Sequence, residues 1–360
     1  MRSYSVLEID LDIIRQNYIK LRELALCEVA ATLKADSYGL GATQIGKALA
    51  QEGCKTFFVF DVKEALSLKE SQPEAKIFFY NGFCNGEEEV IVRNKISPVI
   101  NLIEQLESLN LFCKSNNIYH SVILHVETGL NRLALTLDDV KKIAANPEIY
   151  SNLKIEYIMS HLASADEPEN QFNKVQLGKF FDIIKLLPKS KYSIANTAGT
   201  LLGKEYHLDL VRPGAGIYGV NPRIDMSLFR NPVKLFSPLI QIKLVKKGEY
   251  LGYNQTYQAK EDMWVGTLPL GYADGISRIL SNKGYCYIKN NKAPIIGRIS
   301  MDLINIDLTN IPHYDRFLGQ EVFMICDQQT PDDLAIFKNT IGYEIITSLG
   351  KRYERKYTNQ

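Results

Sequence analysis

The chain has 360 residues, of which 46% are hydrophobic and 23% are charged, and its formal net charge is +1. This composition is typical of a soluble globular protein that is long enough for two domains. The nearly neutral charge argues against nucleic acid or an anionic membrane as the main partner. No apolar run approaches the length of a membrane span.

The cysteines, the histidines and the N-terminal sequence predict a cytoplasmic protein without a bound metal. The six cysteines are scattered with no close pair, which favours reduced thiols over a disulfide framework or a zinc site. The five histidines show no spacing typical of metal ligands. Acidic residues such as Glu8 and Asp10 occupy the segment where an export signal would have its apolar core.

Eight short apolar runs fill the first two thirds of the chain, and amphipathic helical stretches lie between many of them. The runs are continuous rather than alternating, as in strands that are covered on both faces. Eight strand–helix units in about 200 residues predict a parallel (β/α)8 barrel, with a doubly wound open sheet as the alternative. The predicted strands are Val29–Leu33, Thr56–Phe60, Ile77–Tyr80, Ile96–Ile100, Ser121–Val126, Ile155–Ser160, Tyr192–Ala195 and Leu208–Arg212. The predicted helices are Ala42–Gln51, Val62–Glu70, Leu102–Asn116, Leu137–Ala145 and Gln171–Leu187.

A segment rich in turn residues, Asn221–Pro232, separates this region from one with a different pattern. Beyond it, alternating runs bounded by turns predict a mainly antiparallel β domain. The predicted domains are therefore a barrel at 9–231 and a β domain at 232–360. The predicted strands of the second domain are Leu239–Val245, Trp264–Leu270, Cys286–Ile288, Pro294–Ile299, Leu303–Leu308 and Glu321–Ile325.

Reactive side chains follow several barrel strands at the ends where such barrels carry their catalytic residues. Lys34 follows the first strand, and an amine at the end of a buried strand loses its proton more easily than a surface lysine. A neutral amine can attack an aldehyde, so this position suggests Schiff-base chemistry. The later strand ends are followed by Arg132, His161, Asn196, Thr197 and Arg212.

The segment Gly214–Gly219 matches the pattern G-x-G-x-x-G, but it follows the last barrel strand instead of the first. It also has no acidic residue about 20 positions further on, as a dinucleotide-binding turn would have. Glycines allow close backbone approach, and amides at a helix N-terminus bind anions, so a phosphate cradle is predicted, with a plain tight turn as the alternative. Thr197 could add a hydroxyl. A nucleophilic lysine and a phosphate site on one rim indicate a pyridoxal phosphate enzyme.

Nine motifs follow one another along nearly the whole chain: Leu33–Gly41, Glu127–Leu133, Met159–Glu167, Ala195–Gly199, Val211–Gly214, Gly252–Asn254, Pro269–Gly275, Gly297–Asp302 and Thr340–Glu344. In these motifs and in their order the chain resembles the alanine racemases. The resemblance implies a pyridoxal phosphate-dependent isomerase that interconverts L- and D-alanine and supplies D-alanine for peptidoglycan. It also implies a head-to-tail homodimer in which each active site combines one subunit's barrel with the other's β domain. The strand near residues 2–8 is expected to join the β domain.

The resemblance also assigns the catalytic roles. Lys34 holds the cofactor and acts as the base on one face of the substrate, and Tyr253 of the other subunit acts on the opposite face. Racemisation takes a proton from one side and returns it on the other, so two bases are required. Because an ordinary tyrosine has a pKa of about 10, it is a poor base near neutral pH. Support for Tyr253 is expected from His161, Arg212 and Arg278, and Arg212 is expected to face the pyridine nitrogen.

The remaining expected roles are to bind the cofactor phosphate, to bind the substrate carboxylate and to shape the entrance of the active site. Cofactor contacts are expected from Tyr38, Asn196, Thr197, the backbone amides of Gly214 and Ala215, and Tyr343. Arg132 is expected to reach the cofactor phenolate and the substrate carboxylate, which also receives the backbone N–H of Met301. Asp302 is expected to shape the site. Tyr272 and Tyr343 would narrow the entrance and favour a methyl-sized side chain.

His125 departs from the pattern of many relatives, in which a lysine seven residues before the motif arginine carries a carbamate that supports that arginine. Histidine forms no stable carbamate, so an unmodified site is predicted. Arg132 would then be supported by a neutral His125, by a bound anion or by Glu127.

Substrate choice is the main open alternative. A serine racemase or a racemase of broader specificity would use the same Lys34, Arg132 and Tyr253, because these residues do not contact the side chain of the substrate. Two other readings are a related barrel decarboxylase and a non-catalytic cofactor carrier. The motif of Tyr253 argues against the first, and the presence of the β domain argues against the second.

Overall fold

The computed structural model of the chain describes residues 5–222 and 227–359. Two units are distinguished, one from Ile14 to Phe229 and one that joins the residues up to Ile13 to those from Arg230 onward. Residues 2–4 of the predicted first strand and residues 223–226 of the predicted linker lie outside the described residues. Within the described ranges, no helix has both the length and the apolar character to cross a membrane.

The strands, in chain order, are β1 Val6–Asp10, β2 Glu28–Val29, β3 Ala31–Thr32, β4 Thr56–Val59, β5 Lys76–Phe79, β6 Ser97–Ile100, β7 His120–His125, β8 Leu153–Met159, β9 Lys191–Ser193, β10 Leu210–Val211, β11 Val233–Pro238, β12 Gln241–Val245, β13 Tyr250–Leu251, β14 Tyr257–Gln258, β15 Met263–Leu268, β16 Tyr285–Ile288, β17 Asn291–Pro294, β18 Ile304–Asp307, β19 Glu321–Ile325 and β20 Glu354–Thr358. The helices are α1 Leu11–Leu24, α2 Lys34–Tyr38, α3 Ala42–Gln51, α4 Val62–Ser71, α5 Glu88–Arg93, α6 Ile103–Ser115, α7 Leu137–Ala145, α8 Phe172–Ile184, α9 Thr197–Thr200, α10 Pro331–Lys338 and α11 Gly342–Thr347. Short 3-10 helices lie at Pro147–Tyr150, Lys204–Tyr206, Ala215–Tyr218, Tyr253–Gln255, Tyr272–Asp274, Arg278–Leu280 and His313–Asp315.

The larger unit is a closed barrel of parallel strands. Strands β3 to β9 pair side by side in chain order. Strand β10 pairs in parallel with β2, and the amide of Ala30 also donates to the carbonyl of Val211, so β2 and β3 are two halves of the first barrel strand. The amide of Arg212 donates to the carbonyl of Ala195 at 2.9 Å, which joins the last strand to the seventh. This ring of eight strand positions confirms the predicted barrel over the open sheet.

The barrel interior is filled by apolar side chains from nearly every barrel strand, as the continuous apolar runs indicate. The rings of Phe58 and Phe78 stack with their centres 5.2 Å apart. The cluster consists of Ala30, Phe58, Phe78, Val99, Ile123, Tyr157, Met159 and Leu210, and all of these residues are buried. The barrel interior is therefore a packed core and not an open channel.

The predicted barrel elements agree with the structure to within two residues at each strand end. The predicted helices Ala42–Gln51 and Leu137–Ala145 are confirmed as α3 and α7. The prediction Gln171–Leu187 was too long, because α8 ends at Ile184. Pro188 follows Leu187 directly, and a residue that precedes proline is disfavoured in helical conformation. Helix α5, Glu88–Arg93, was not predicted.

The second unit contains mainly antiparallel sheets, as predicted. Its largest sheet has the order β17-β16-β19-β11-β1-β20, and its three-stranded sheet has the order β12-β15-β18. Strand β1 pairs antiparallel with β11 and parallel with β20. The prediction of a strand at Pro294–Ile299 was wrong. Strand β17 ends at Pro294, only Ile295 forms an isolated bridge, and Gly297 has a φ of 72°.

Candidate active site

Lys34 follows the first barrel strand after Leu33 and begins the segment α2, which is one turn of left-handed and not right-handed helix. Residues Ala35–Tyr38 have φ values between 53° and 58°, and this conformation costs about 1–2 kcal/mol for each residue other than glycine. Hydrogen bonds to residues of two neighbouring helices hold this turn. The amide of Asp36 donates to the Glu64 carboxylate at 3.1 Å, and the Asp36 carboxylate accepts from the amide of Ala42 at 2.7 Å. These bonds fix the directions in which Lys34 and Tyr38 leave the strand end.

The environment of the Lys34 amine favours its neutral form. Burial lowers the pKa of this amine, the positive charge of Arg132 lowers it further, and Glu64 offsets part of the effect. The Lys34 nitrogen also lies 5.7 Å from the centre of the Tyr80 ring. A lower pKa increases the fraction of amine that can act as a nucleophile or a base.

Arg212 is the most deeply buried cation of this rim, at 2% exposure. Its guanidinium donates to the carbonyl of Ser160 at 2.7 Å and to the hydroxyl of Ser193. In the part of the chain that the structure describes, no hydrogen bond joins Arg212 to His161, so the link that the resemblance implies remains a prediction. Arg212 is nonetheless held in place by the barrel itself.

A cradle for an anion lies at the end of the last barrel strand. A Cβ atom at Gly214 would overlap the phenol oxygen of Tyr38, so only glycine allows this approach. The hydroxyl of Thr197 accepts from the amide of Gly214 at 3.1 Å. Ala215 is buried, and its amide donates to none of the residues described here. Two hydroxyls and an unpaired buried amide therefore converge, and this set of donors fits a phosphate group.

Asn196 and Thr197 reach this cradle because a short helix begins there. Asn196 is the N-cap of α9, and its side-chain oxygen accepts from the amide of Gly199 at 2.9 Å. This bond fixes the chain direction at Thr197, whose hydroxyl is thereby turned toward the glycine segment. Asn196 thus positions Thr197 beside the cradle, and its own contact with the cofactor stays a prediction.

His125 is held in one tautomer by Asn101, a residue that the sequence did not single out. The Asn101 side-chain nitrogen donates to the carbonyl of Tyr80 at 2.8 Å and to the carbonyl of Val99 at 3.1 Å. Both amide protons are therefore used, and the Asn101 oxygen, 2.8 Å from His125 Nδ1, can only accept. Nδ1 of His125 consequently carries the proton, and Nε2 is the acceptor.

Both histidines of the rim are neutral. Burial, followed by the charges of Arg212 and Arg132, lowers the pKa of His125 to about 3. Burial also lowers the pKa of His161 well below its usual value, and the charges of Arg212, Arg132, His125 and Lys34 act in the same direction. Because His161 is affected by all four groups, the five side chains form one electrostatic cluster.

Arg132 has no acidic partner among the residues that the structure describes. Across residues 5–222 and 227–359 it makes no hydrogen bond or ion pair. Glu127, one of its three predicted supports, accepts instead from the amides of Gly129 and of Asn131, the latter at 2.9 Å. The carboxylate of Glu127 is therefore engaged in shaping its own loop. Among the described residues no hydrogen bond joins Arg132 to His125 either, so support by neutral His125 and support by a bound anion both stay predictions.

The predicted residues of the second unit lie on neighbouring loops of that unit. The Tyr253 side chain is 65% exposed at the start of a 3-10 turn. Asn282 ties this turn to the next loop, because its side chain donates to the carbonyl of Thr256 at 3.3 Å and accepts from the amide of Gly297 at 2.6 Å. Gly297 begins the segment that leads to Met301.

Met301 lies in a tight turn closed by its neighbours. The amide of Ser300 donates to the carbonyl of Leu303 at 3.0 Å, and the amide of Leu303 donates to the Ser300 hydroxyl at 2.9 Å. Among the described residues, the amide of Met301 has no acceptor, and the residue as a whole is 53% exposed. An amide without an acceptor, in a turn that is fixed by its neighbours, is suited to bind a carboxylate. The other predicted residues, Tyr272, Arg278, Asp302 and Tyr343, lie on loops or helix starts of the same unit.

Three relevant side chains were missed: Tyr80, Asn101 and Arg352. Tyr80 and Asn101 stand at the ends of predicted barrel strands, so the rule that located Lys34 could have located them too. Arg352, which contacts Asp274 and Asp302, has no such signal. Of the residues that the structure describes, no group of three or more acidic, histidine or cysteine side chains is arranged to hold a metal ion.

Known proteins match this chain over its whole length. The family model described as alanine racemase, N-terminal domain, matches residues 9–222, and the model for the C-terminal domain matches residues 233–357. The alanine racemase of Rickettsia canadensis is 42% identical over 358 residues, which cover 99% of each chain. The crystal structure of alanine racemase from Bartonella henselae with covalently bound pyridoxal phosphate has a TM-score of 0.94 and 37% identity, with 99% of each chain covered. The biosynthetic alanine racemase from Pseudomonas aeruginosa has a TM-score of 0.91 and 28% identity, with 100% of each chain covered. The chain therefore belongs to the alanine racemase family.

Proposed function

We propose that this protein racemises alanine with pyridoxal phosphate bound through Lys34, and that it supplies D-alanine for peptidoglycan. The observation that carries the proposal is the position of the Lys34 amine. Its pKa is lowered by burial and by Arg132, and it shares one barrel rim with the anion cradle of Gly214 and Ala215. An amine nucleophile beside a phosphate site is what this cofactor requires.

The cofactor fits the donors of the rim. Its phosphate would be held by the hydroxyls of Tyr38 and Thr197, by the amide of Ala215, by the Gly214 amide once it leaves the Thr197 hydroxyl, and, by the resemblance, by Tyr343. When bound, pyridoxal phosphate supplies the electron withdrawal that makes the Cα proton of an amino acid removable. The Ala215 amide has no acceptor among the described residues, which supports this assignment, because a buried donor without a partner is costly until it binds an acceptor.

Lys34 and Tyr253 act as the two bases. The Lys34 amine takes or returns a proton at Cα on one face of the substrate, and the Tyr253 phenol does so on the other. Tyr253 belongs to a different unit from Lys34, and its exposed phenol is available to a second copy of the chain. We therefore propose a head-to-tail homodimer in which each active site takes Lys34 from one subunit and Tyr253 from its partner.

The arginines and Met301 orient the substrate and limit side reactions. Arg132 and the Met301 amide would hold the carboxylate, which is consistent with the absence of other partners for both groups among the described residues. The permanent charge of Arg212 would disfavour protonation of the pyridine nitrogen, and this would suppress transamination. Tyr272 and Tyr343 would narrow the entrance. The free thiols of the chain are consistent with a reducing, cytoplasmic location.

Deuterium incorporation and inversion at Cα test this function directly. Purified enzyme is incubated with the L- and D-forms of alanine and serine in D2O, and optical rotation and mass are followed. We expect inversion of alanine to be faster than inversion of serine, and we expect Lys34→Ala to abolish inversion together with cofactor absorbance. Lys63→Ala, at an exposed lysine of α4, is the matched control and should behave as the wild type. Faster inversion of serine would replace the substrate assignment, and inversion of neither amino acid would refute the proposal.

A further inference from the structure

Arg352 connects two acidic residues that lie on separate loops of the second unit. Its Nε donates to Asp274 Oδ1 at 2.8 Å, and one terminal nitrogen donates to Asp274 Oδ2 at 2.9 Å. The other terminal nitrogen donates to Asp302 Oδ1 at 2.8 Å. Three donors of one planar guanidinium are thus directed at two carboxylates, an arrangement that only arginine can make.

The loops joined by Arg352 are also packed directly against each other. A Cβ atom at Gly271 would overlap the carbonyl of Met301, so the two backbones approach as closely as glycine permits. The amide of Ala273 donates to the Met301 carbonyl at 3.0 Å. The amide of Gly271 donates to Asp274 Oδ2 at 2.9 Å. Asp274 thus organises the loop against which the Met301 turn rests.

The segment of Arg352 is anchored to the same loop through its backbone and its neighbour. The amide of Gly350 donates to the carbonyl of Asp274 at 3.0 Å, and the Tyr353 hydroxyl donates to that carbonyl as well. This segment directly follows helix α11, which carries Tyr343. The loops of three predicted site residues, Tyr272, Met301 and Tyr343, therefore meet at Asp274.

A purely stabilising role explains the contact of Arg352 with Asp274 but not its contact with Asp302. The side chains of Arg352 and Asp302 are 52% and 56% exposed, while that of Asp274 is only 6% exposed. Ion pairs between exposed side chains contribute little to the free energy of folding. The contact with Asp302 instead restrains the residue next to Met301, whose amide is unpaired among the described residues.

We propose that Arg352 is a positioning residue for the substrate carboxylate: it fastens the Met301 turn to Asp274 and so fixes the direction of the Met301 amide. This inference rests on the proposed function, because it concerns the carboxylate site of that reaction. Arg352 contacts no reacting atom. Its loss lets the turn move and weakens carboxylate binding, while the proton transfers at Cα stay with other residues.

The test compares Arg352→Ala, Arg352→Lys and Asp302→Asn with Lys351→Ala, an adjacent exposed residue, in the holoenzyme. The KM and kcat for L- and D-alanine are measured, together with the inhibition constant of propionate. Propionate carries the carboxylate but no amine, so its binding reports on the carboxylate site without turnover. Thermal unfolding checks that each variant is folded.

We expect Arg352→Ala to raise the KM for alanine and the inhibition constant of propionate about tenfold. This is the effect of losing one charge-assisted hydrogen bond, here the one from the Met301 amide to the carboxylate. The kcat should change by less than about threefold. Arg352→Lys and Asp302→Asn should give intermediate values, because each retains some of the hydrogen bonds that residue 352 makes to Asp274 and to residue 302. Lys351→Ala should match the wild type. If Arg352→Ala does not fold, these two partial variants carry the test.

Unchanged KM and propionate inhibition in the folded Arg352 and Asp302 variants would overturn the inference. A loss confined to kcat would overturn it equally, since that would place the effect on the proton transfers. Either result, obtained with a wild-type enzyme that racemises alanine, leaves the proposed function intact. A wild-type enzyme that binds propionate but inverts neither alanine nor serine would instead refute the proposed function.

Discussion

His125 should make the protein sensitive to mild acid, and the substitution His125→Gln should remove part of that sensitivity. Burial, followed by the charges of Arg212 and Arg132, lowers the pKa of His125 to about 3 in the folded protein. In the unfolded chain the same ring titrates near its usual value of about 6.5. Glutamine keeps an amide that can donate to the Asn101 oxygen, but it does not titrate.

The sign and size of the effect follow from proton linkage. Between pH 6.5 and pH 3 the unfolded chain binds a proton at His125 that the folded protein excludes, so stability falls as the pH falls through 6.5. At pH 5 the solution is about 1.5 pH units below the unfolded pKa of His125. At about 1.4 kcal/mol per unit, the free energy of unfolding is therefore ~2 kcal/mol lower at pH 5 than at pH 7.5. His161 acts in the same direction in both proteins and cancels in the comparison.

Urea unfolding of the wild type and of His125→Gln near pH 7.5 and near pH 5 measures this difference. The wild type should lose ~2 kcal/mol more than the variant between the two conditions. His313→Gln, at an exposed histidine of the second unit, should lose as much as the wild type. Equal losses for the wild type and His125→Gln would refute the reasoning, because His125 would then titrate alike in both states.

Three further predictions concern the proposed roles of the rim and of the second base. Gly214→Ala should weaken pyridoxal phosphate binding about tenfold or more in a titration of the apo-protein, because the added methyl group overlaps the Tyr38 phenol oxygen that is predicted to bind phosphate. Gly178→Ala, where an added methyl group meets nothing, is its control, and equal affinities would contradict the cradle. Tyr253→Phe should lower the rate of racemisation about 10²- to 10⁴-fold, yet it should retain deuterium exchange at Cα for one enantiomer of alanine. Equal loss of exchange for both enantiomers would argue against a second base. Arg212→Glu should increase pyruvate formation from alanine, since an acid lets the pyridine nitrogen protonate, and an unchanged pyruvate yield would count against that role.

The barrel, and the rim on which most of the proposed site residues lie, could be predicted from the sequence because both depend on local patterns. Continuous apolar runs identify strands that are buried on both faces, and the residue after each run then lies on the working rim. Lys34, His161 and Arg212 were located in this way. The apolar pair Ile295 and Ile296 misled the same method, because apolar character cannot show that Gly297 turns the chain away after a single bridge.

The side-chain hydrogen bonds between distant segments could not be predicted in this way. Arg352 meets Asp274 across 78 positions of the chain and Asp302 across 50. No periodicity connects such positions, and exposed arginines are common. The tautomer of His125 likewise depends on Asn101, 24 positions earlier, whose own amide is fixed by the carbonyl of Val99 just before it and by that of Tyr80, 21 positions earlier. Only the folded chain reveals these pairs.

The left-handed turn after Lys34 sets a limit on how this enzyme can be re-engineered. Ala35–Tyr38 holds four consecutive residues in a region of backbone space that β-branched side chains tolerate worst. Most variants in a mutant library at these positions would therefore misplace Lys34 and lose activity. Few active variants would remain from which a change in substrate choice could be selected. Diversity aimed at new substrates is better introduced at Tyr272, whose backbone carries no such constraint and which has no proposed contact with the cofactor.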